Sequence, residues 1–410
     1  MFHLAQTVYI ALASLLILQL IYPFVTTLAG LLFGKERLAS AEALPIRPPY
    51  DYACIITAYK NAAIAKPLLV SLLRQHYPHH LIYLVADECP DHDFDLDDPR
   101  FILLKPDPPL RLKAKSIAYA IAHFKRPHDY IAVFDADNLA HPNFLMEINR
   151  YAQAGYLCVQ GQRTAKNLDT TYAALDSLGE HYKNYLERYL PYLLGGSAVI
   201  SGSGMATEAG LYKAYLASPE IEQGKHQWKK MLQEDKILQN FILRQDLKIA
   251  YARQALVYDE KVDSGQAVQT QRSRWLFSYF QNLPNASALL WRGLGRLSWN
   301  QVYFGFVTLA LPMFIQVGVA GILALLGFWF SPLWGLALCA AGCIFALNIF
   351  LTLHLDGAPK PVWDALRSVP RFIGRQLLGL LKMGNPNKNF KHTEHKKYLS
   401  VDEVMQQKNE

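Results

Sequence analysis

Two long stretches without a single Asp, Glu, Lys or Arg, residues 8–33 and 297–355, bracket a charged middle segment in this 410-residue chain. A helix of about 20 apolar residues crosses a ~30 Å hydrocarbon layer with every backbone group satisfied internally. Residues 8–33 suffice for one such crossing. Residues 297–355 are too many for one, so the chain must fold back. Ser331-Pro332 marks the turn, because proline disfavours helix at the residue before it. This predicts spans at 302–330 and 333–355. A secretory signal peptide would open on a basic segment before a shorter apolar core, whereas residues 1–7 hold no Lys or Arg. Lys35 and Arg37 follow the first span directly, so the positive-inside rule places the N-terminus outside and the chain after residue 34 in the cytosol.

Composition narrows the class further. With 51% apolar residues there is room for one large soluble domain and a few spans. The formal charge of +7 gathers beside the apolar segments, where anionic headgroups attract it, and so implies a lipid membrane and no nucleic acid. Five cysteines, Cys54, Cys89, Cys158, Cys339 and Cys343, lack zinc-site spacing and are odd in number, which fits a reduced cytosolic domain. Residues 275–294 and 362–383 mix Arg or Lys with Trp, Phe and Leu at helical spacing, as helices lying in the headgroup plane do. Pro284 and Pro370 are expected to break or kink them. The chain thus divides into a transmembrane helix (1–34), a soluble domain (50–275), an interfacial helix (276–296), two transmembrane helices (297–356), and a cytosolic amphipathic segment with a basic tail (357–410).

Between residues 50 and 265 short apolar runs at 53–58, 82–86, 101–104 and 130–134 alternate with helical stretches such as 66–75 and 113–124. That alternation predicts an α/β domain: a mostly parallel, Rossmann-like sheet with helices on both faces and ligands at the carboxyl ends of its strands. Asp135-Ala136-Asp137 closes the run 130–134. Strand alternation would turn both carboxylates toward one ion, Mg2+ or Mn2+, bridging the oxygens of a diphosphate, although two aspartates in a surface turn are the plain alternative. Glu234-Asp235 opens an amphipathic helix, where acids also favourably oppose the macrodipole. Ser201-Gly202-Ser203-Gly204 permits close backbone approach. Gln271-Arg272-Ser273-Arg274-Trp275 stands at the border of the second apolar block.

Taken in order, Tyr52 to Asn61, Leu72 to Pro78, Tyr83 to Asp87, the D-A-D, the E-D and the Q-R-S-R-W resemble family 2 glycosyltransferases of the GT-A fold. The likeness spans roughly residues 50–280, with flanking spans arranged as in cellulose-, chitin- and hyaluronan-type synthases. Lys60-Asn61 and Ala118 depart from the family pattern. The resemblance implies that Thr57, Tyr59 and Asp87 surround a uridine and that Lys113 and Asp135 lie at the pyrophosphate, with Asp135 and Asp137 holding the metal. It makes Asp235, beside Glu234, the general base. Gln271 and Arg274 would meet the diphosphate, and Trp275 would stack on the acceptor sugar. The implied activity is inverting transfer from a UDP-sugar to a growing polysaccharide at the cytosolic face of a bacterial inner membrane, with an export partner or homo-oligomer. Two other readings are transfer of one sugar to a lipid-linked acceptor, and a non-catalytic sugar-nucleotide-binding subunit. A transporter is disfavoured, because the spans hold no charged residue to bind a polar substrate.

Overall fold

The computed structural model describes residues 2–36, 38, 48–92, 94–227, 233–380 and 398–409. The middle segment builds an eight-stranded sheet from β1 (Tyr52–Tyr59), β2 (His80–Asp87), β3 (Phe101–Leu104), β4 (Tyr130–Asp135), β5 (Leu139–Ala140), β6 (Cys158–Ala165), β7 (Met205–Glu208) and β8 (Ile249–Asp259). Their order is β3-β2-β1-β4-β7-β6-β8-β5. β1 to β4 are mutually parallel and β6 pairs parallel with β8. β7 is antiparallel to both β4 and β6, and β5 to β8, so the sheet is mixed. All four strands expected from the apolar runs are present, as are the helices Lys66–Leu73 and Lys113–Ala122. β2 is buried along its whole length and β1 nearly so, which is why both read as continuous apolar runs.

The chain leaves β1 for β2 and β3 on one side, then returns to lay β4 on the other. That reversal opens a crevice at the carboxyl ends of β1 and β4, where α/β sheets bind ligands. Register puts Thr57 opposite Asp135 and Tyr59 opposite Asp87.

Three helices are long and apolar enough to cross a membrane: Phe2–Phe33, Met313–Phe330 and Pro332–Leu355. They pack through Tyr9, Ala13, Leu16, Leu20, Ala320, Leu338, Ala341 and Phe345. Their outer faces leave Leu12, Leu15, Leu325, Trp329, Leu333 and Leu347 exposed, a surface that lipid would cover. The expected span 302–330 is corrected. Trp299–Leu309 is a separate helix whose Tyr303, Phe304 and Val307 belong to the core of the sheet domain, and the chain breaks at Ala310 to Pro312 before the candidate span Met313–Phe330. Pro312 explains the break, since it disfavours helix at Leu311 and donates no hydrogen bond.

Pro284 does not break its segment either. Gly265–Arg296 is one helix of 32 residues, and the Q-R-S-R-W string lies within its first turns rather than at a boundary. Trp299–Leu309 folds back on it so closely that a Cβ on Gly305 would sit 2.8 Å from the Leu290 amide nitrogen. Pro370 falls in the first turn of the helix Val369–Leu380, a position where its missing N–H costs nothing. Arg37, the basic tail 388–397 and the end of the segment 362–383 lie outside the described residues.

Candidate active site

One cavity of about 1590 Å3 opens at the ends of β1 and β4. Thr57 and Tyr59 from β1, Asp135 and Asp137 from the end of β4, Lys113, Glu234, Asp235, Gln271, Arg274 and Trp275 all line it. These residues are up to 218 positions apart in sequence, from Thr57 to Trp275, and the crevice collects them. The same cavity continues between the membrane helices, past Val317, Gly321, Leu338, Gly342, Phe345 and Ile349.

β4 ends at Asp135, and Asp137 is reached through a turn in which Asn138 Oδ1 accepts from the Asp135 N–H at 3.1 Å and the Asn138 N–H donates to the Asp135 carbonyl at 3.1 Å. Strand alternation is therefore not what brings the two carboxylates to one cavity; the turn does so. Lys113 Nζ donates to Asp135 Oδ1 at 2.6 Å and to the Gly202 carbonyl at 2.8 Å, with Glu234 Oε1 at 3.9 Å. The Ser201 to Gly204 loop can approach this closely because Gly202 has φ +83°. A Cβ there would sit 3.6 Å from Asp235 Cβ. Burial would lower the Lys113 pKa, but Asp135 and Glu234 outweigh it and raise it.

Among the described residues no group of three or more His, Cys, Asp or Glu is placed to hold a metal. A Mg2+ or Mn2+ ion commonly takes one or two carboxylates from the protein and the rest of its oxygens from substrate phosphate and water. The pair Asp135 and Asp137 fits an ion of that kind.

Glu234 and Asp235 occupy the first turn of the helix Glu234–Arg244. Burial pushes the Glu234 carboxyl up to about 7; Lys113 opposes this and the neighbouring Asp235 adds to it. A carboxyl whose folded pKa lies above its ordinary 4.5 stabilises the fold by holding its proton. That contribution is complete below pH 4.5 and is lost as the pH rises to about 7. The shift amounts to roughly 3 kcal/mol at about 1.4 kcal/mol per unit. Without metal or donor, the melting temperature of the solubilised protein should fall across this window. Glu234→Gln should flatten the fall, and an unchanged slope in that variant would refute the assignment.

Asp87 stands apart from the other expected residues. Its carboxylate accepts from the backbone N–H of Leu110 at 2.8 Å and of Arg111 at 2.5 Å, and the side chain is buried. It pins the loop leading into the helix Lys113–Ala122. The next residue, Glu88, accepts from the Tyr59 hydroxyl at 2.8 Å and pairs with Arg111 at 3.0 Å. Trp275, expected to stack on the acceptor sugar, is half-buried and lines the cavity. Two cations approach it, Arg272 Cζ at 4.5 Å and Lys183 Nζ at 4.7 Å from the ring centre. Gln271 Oε1 is buried and has no hydrogen-bond partner among the described residues. Burial lowers the Arg274 pKa.

Sequence reasoning missed a network of buried ion pairs, several of whose members also line the cavity. Arg163 pairs with Asp259 at 2.5 Å, and Lys261 with Asp259 at 3.0 Å and Glu180 at 3.2 Å. Glu180 also pairs with Arg188 at 2.7 Å, and Arg272 with Asp176 at 2.7 Å. A signal was present: Asp176, Glu180, Lys183 and Glu187 recur at three- and four-residue spacing, one face of the helix Thr171–Lys183 and the π-helical turn Asn184–Tyr189 that follows.

The mixed sheet and the carboxylate-lined crevice at its strand ends define an α/β enzyme domain joined to membrane-type helices. The sequence model of the family described as Glycosyltransferase like family 2 matches residues 48–278, more than half of the chain. The chain belongs to this family: it is a glycosyltransferase with a GT-A-type fold. No curated protein matches the sequence. Among solved structures it is similar to a mannosyltransferase from Pyrobaculum calidifontis in complex with GDP-Man and Mn2+. That likeness has a TM-score of 0.57 at 13% identity and covers 93% of this chain and 98% of that one.

Proposed function

We propose that this protein is an inverting, metal-dependent transferase that moves one sugar from a nucleoside-diphosphate donor, a UDP-sugar in our reading, to an acceptor anchored in the membrane. Its catalytic unit, about residues 50–275, would face the cytosol. The observation that carries the reading is the single cavity running from Asp135, Asp137 and Asp235 to the apolar faces of the membrane helices. A polysaccharide in transit needs a hydrated path. The membrane end of this cavity is lined by Val, Leu, Gly, Phe and Ile, which suit an alkyl chain better than a glycan. We therefore favour a lipid-linked acceptor over a growing polysaccharide.

Asp235 takes the proton from the acceptor hydroxyl as that oxygen forms its bond to the anomeric carbon. The bond from that carbon to the diphosphate breaks on the opposite side and its electron pair departs with the nucleotide, which inverts the anomeric centre. Arg274 offsets charge on the departing diphosphate and Gln271 donates a hydrogen bond to it. Lys113, held by Asp135 and the Gly202 carbonyl, adds a second cationic group for the diphosphate. A metal ion held by Asp135 and Asp137 would supply Lewis-acid stabilisation of the leaving group.

The test is to incubate the purified, detergent-solubilised chain with Mg2+ or Mn2+, a panel of nucleotide sugars and lipid extract, following nucleotide release and sizing the product. A single sugar on a lipid supports the reading, and long lipid-free chains would establish the polymerase instead. No metal-dependent release with any donor would refute both. Asp137→Asn should lower the metal-dependent rate ~100-fold, the scale expected for loss of several kcal/mol of leaving-group stabilisation.

A further inference from the structure

Lys183 ends the helix Thr171–Lys183 and lines the cavity at the joint between its two halves. On one side its ammonium meets the ring of Trp275 at 4.7 Å. On the other, the preceding Tyr182 packs on Phe345 of the membrane helix Pro332–Leu355, ring centres 6.1 Å apart. The cations around it have carboxylate partners: Arg163 has Asp259, Arg188 has Glu180, and Arg272 has Asp176. Lys183 has the Trp275 ring and, among the described residues, no carboxylate in ion-pair contact.

A basic residue in a last helical turn is often explained by the helix dipole. That account fails for Lys183, because the backbone runs on into the π-helical turn Asn184–Tyr189 and leaves no free carbonyl end. Burial lowers its pKa to about 8, against the pull of Glu187 and Glu180. A partly desolvated ammonium facing a cavity is costly unless an anion meets it. The cavity, at about 1590 Å3, also exceeds the roughly 300–1,000 Å3 of one small-molecule site. It has room for a second ligand beside the donor.

The cavity wall combines the hydrocarbon of the groove, Lys183, and the carboxylates that include Asp235, and the Trp275 ring and the contact between Tyr182 and Phe345 set Lys183 beside the groove. We propose that Lys183 binds the phosphate of the acceptor, an amphiphile that carries its sugar through a phosphate on an alkyl or isoprenoid chain. The chain lies against Val317, Leu338 and Phe345, the phosphate against Lys183, and the sugar hydroxyl toward Asp235. This proposal rests on the lipid-acceptor reading above and names the chemistry of its headgroup.

The experiment uses the full chain in nanodiscs of neutral lipid, a donor that supports turnover, and two synthetic acceptors alike in chain and sugar. One links them through a phosphodiester and the other through a plain glycosidic bond. The wild type should prefer the phosphate-linked acceptor by at least about tenfold in kcat/KM, the scale of a hydrogen bond to a charged group. Lys183→Gln should collapse that preference by raising the KM for the phosphate-linked acceptor, with Lys183→Arg retaining most of it. Equal use of both acceptors by the wild type would overturn the proposal and leave the lipid reading intact, and that arm requires no variant to fold. A rise in donor KM in Lys183→Gln, with the preference kept, would assign the cation to the donor diphosphate and likewise overturn it. Nucleotide release with transfer to neither lipid would reject the lipid reading itself.

Discussion

Asp235→Asn should lower the turnover of sugar transfer by roughly 10²–10⁴-fold, the loss typical when a general base is removed. The amide keeps the size of the side chain and its place in the first turn of the helix Glu234–Arg244 but cannot take the acceptor proton. Donor KM should change little, since the groups assigned to the diphosphate are Lys113, Gln271 and Arg274. Release of nucleoside diphosphate at saturating donor and acceptor checks this directly. Full turnover in the variant would displace Asp235 as the base. Glu234 lies beside it with a carboxyl near 7, so Glu234→Gln is the necessary companion variant.

The second large effect is on stability. Glu180 is buried between Arg188 at 2.7 Å and Lys261 at 3.2 Å. Burial alone would raise its pKa, but Lys261, Arg163 and Arg188 hold it well below the ordinary carboxylate range. Glu180→Ala leaves Arg188 buried without its carboxylate and Lys261 with Asp259 alone, and breaking a buried pair in this way costs about 3–5 kcal/mol. For a domain of this size that corresponds to a fall in melting temperature of roughly 10 °C. Thermal unfolding of the solubilised variant measures it, and a fall under about 2 °C would show that the network is relaxed by water. The sign with pH is opposite to that of Glu234. A depressed carboxyl contributes above its unfolded pKa near 4.5 and loses that contribution as the pH falls.

Much of the fold was legible because its central strands are buried on both faces. β1, β2 and β4 must then be written in apolar residues, and their ends show as the first polar ones, Asp87 and Asp135. The motif residues were legible as types in an order: nearly all of them meet in one cavity. Their individual partners were not. Nothing local says that the Asp87 carboxylate is taken by the amides of Leu110 and Arg111, or that Trp275 is met by Lys183. These contacts join groups 23, 24 and 92 positions apart, and only packing decides which partner arrives.

The same division holds for the membrane part. Uncharged runs of about 20 or more residues by themselves determined that three helices can span a bilayer, since hydrocarbon tolerates few other sequences. They did not determine where the middle span begins. Trp299–Leu309 carries no charged residue, as a membrane segment would not, yet its Tyr303, Phe304 and Val307 bury themselves against the sheet domain. Apolar transfer from water is satisfied equally by lipid and by a protein core, so hydrophobicity cannot choose between them. Sequence alone determined the chemical inventory: the carboxylates, the cations and the apolar helices. Tertiary structure alone decided that all three face one cavity, because side-chain direction at a strand end, a turn or a helix wall follows from packing over distances that no local pattern encodes.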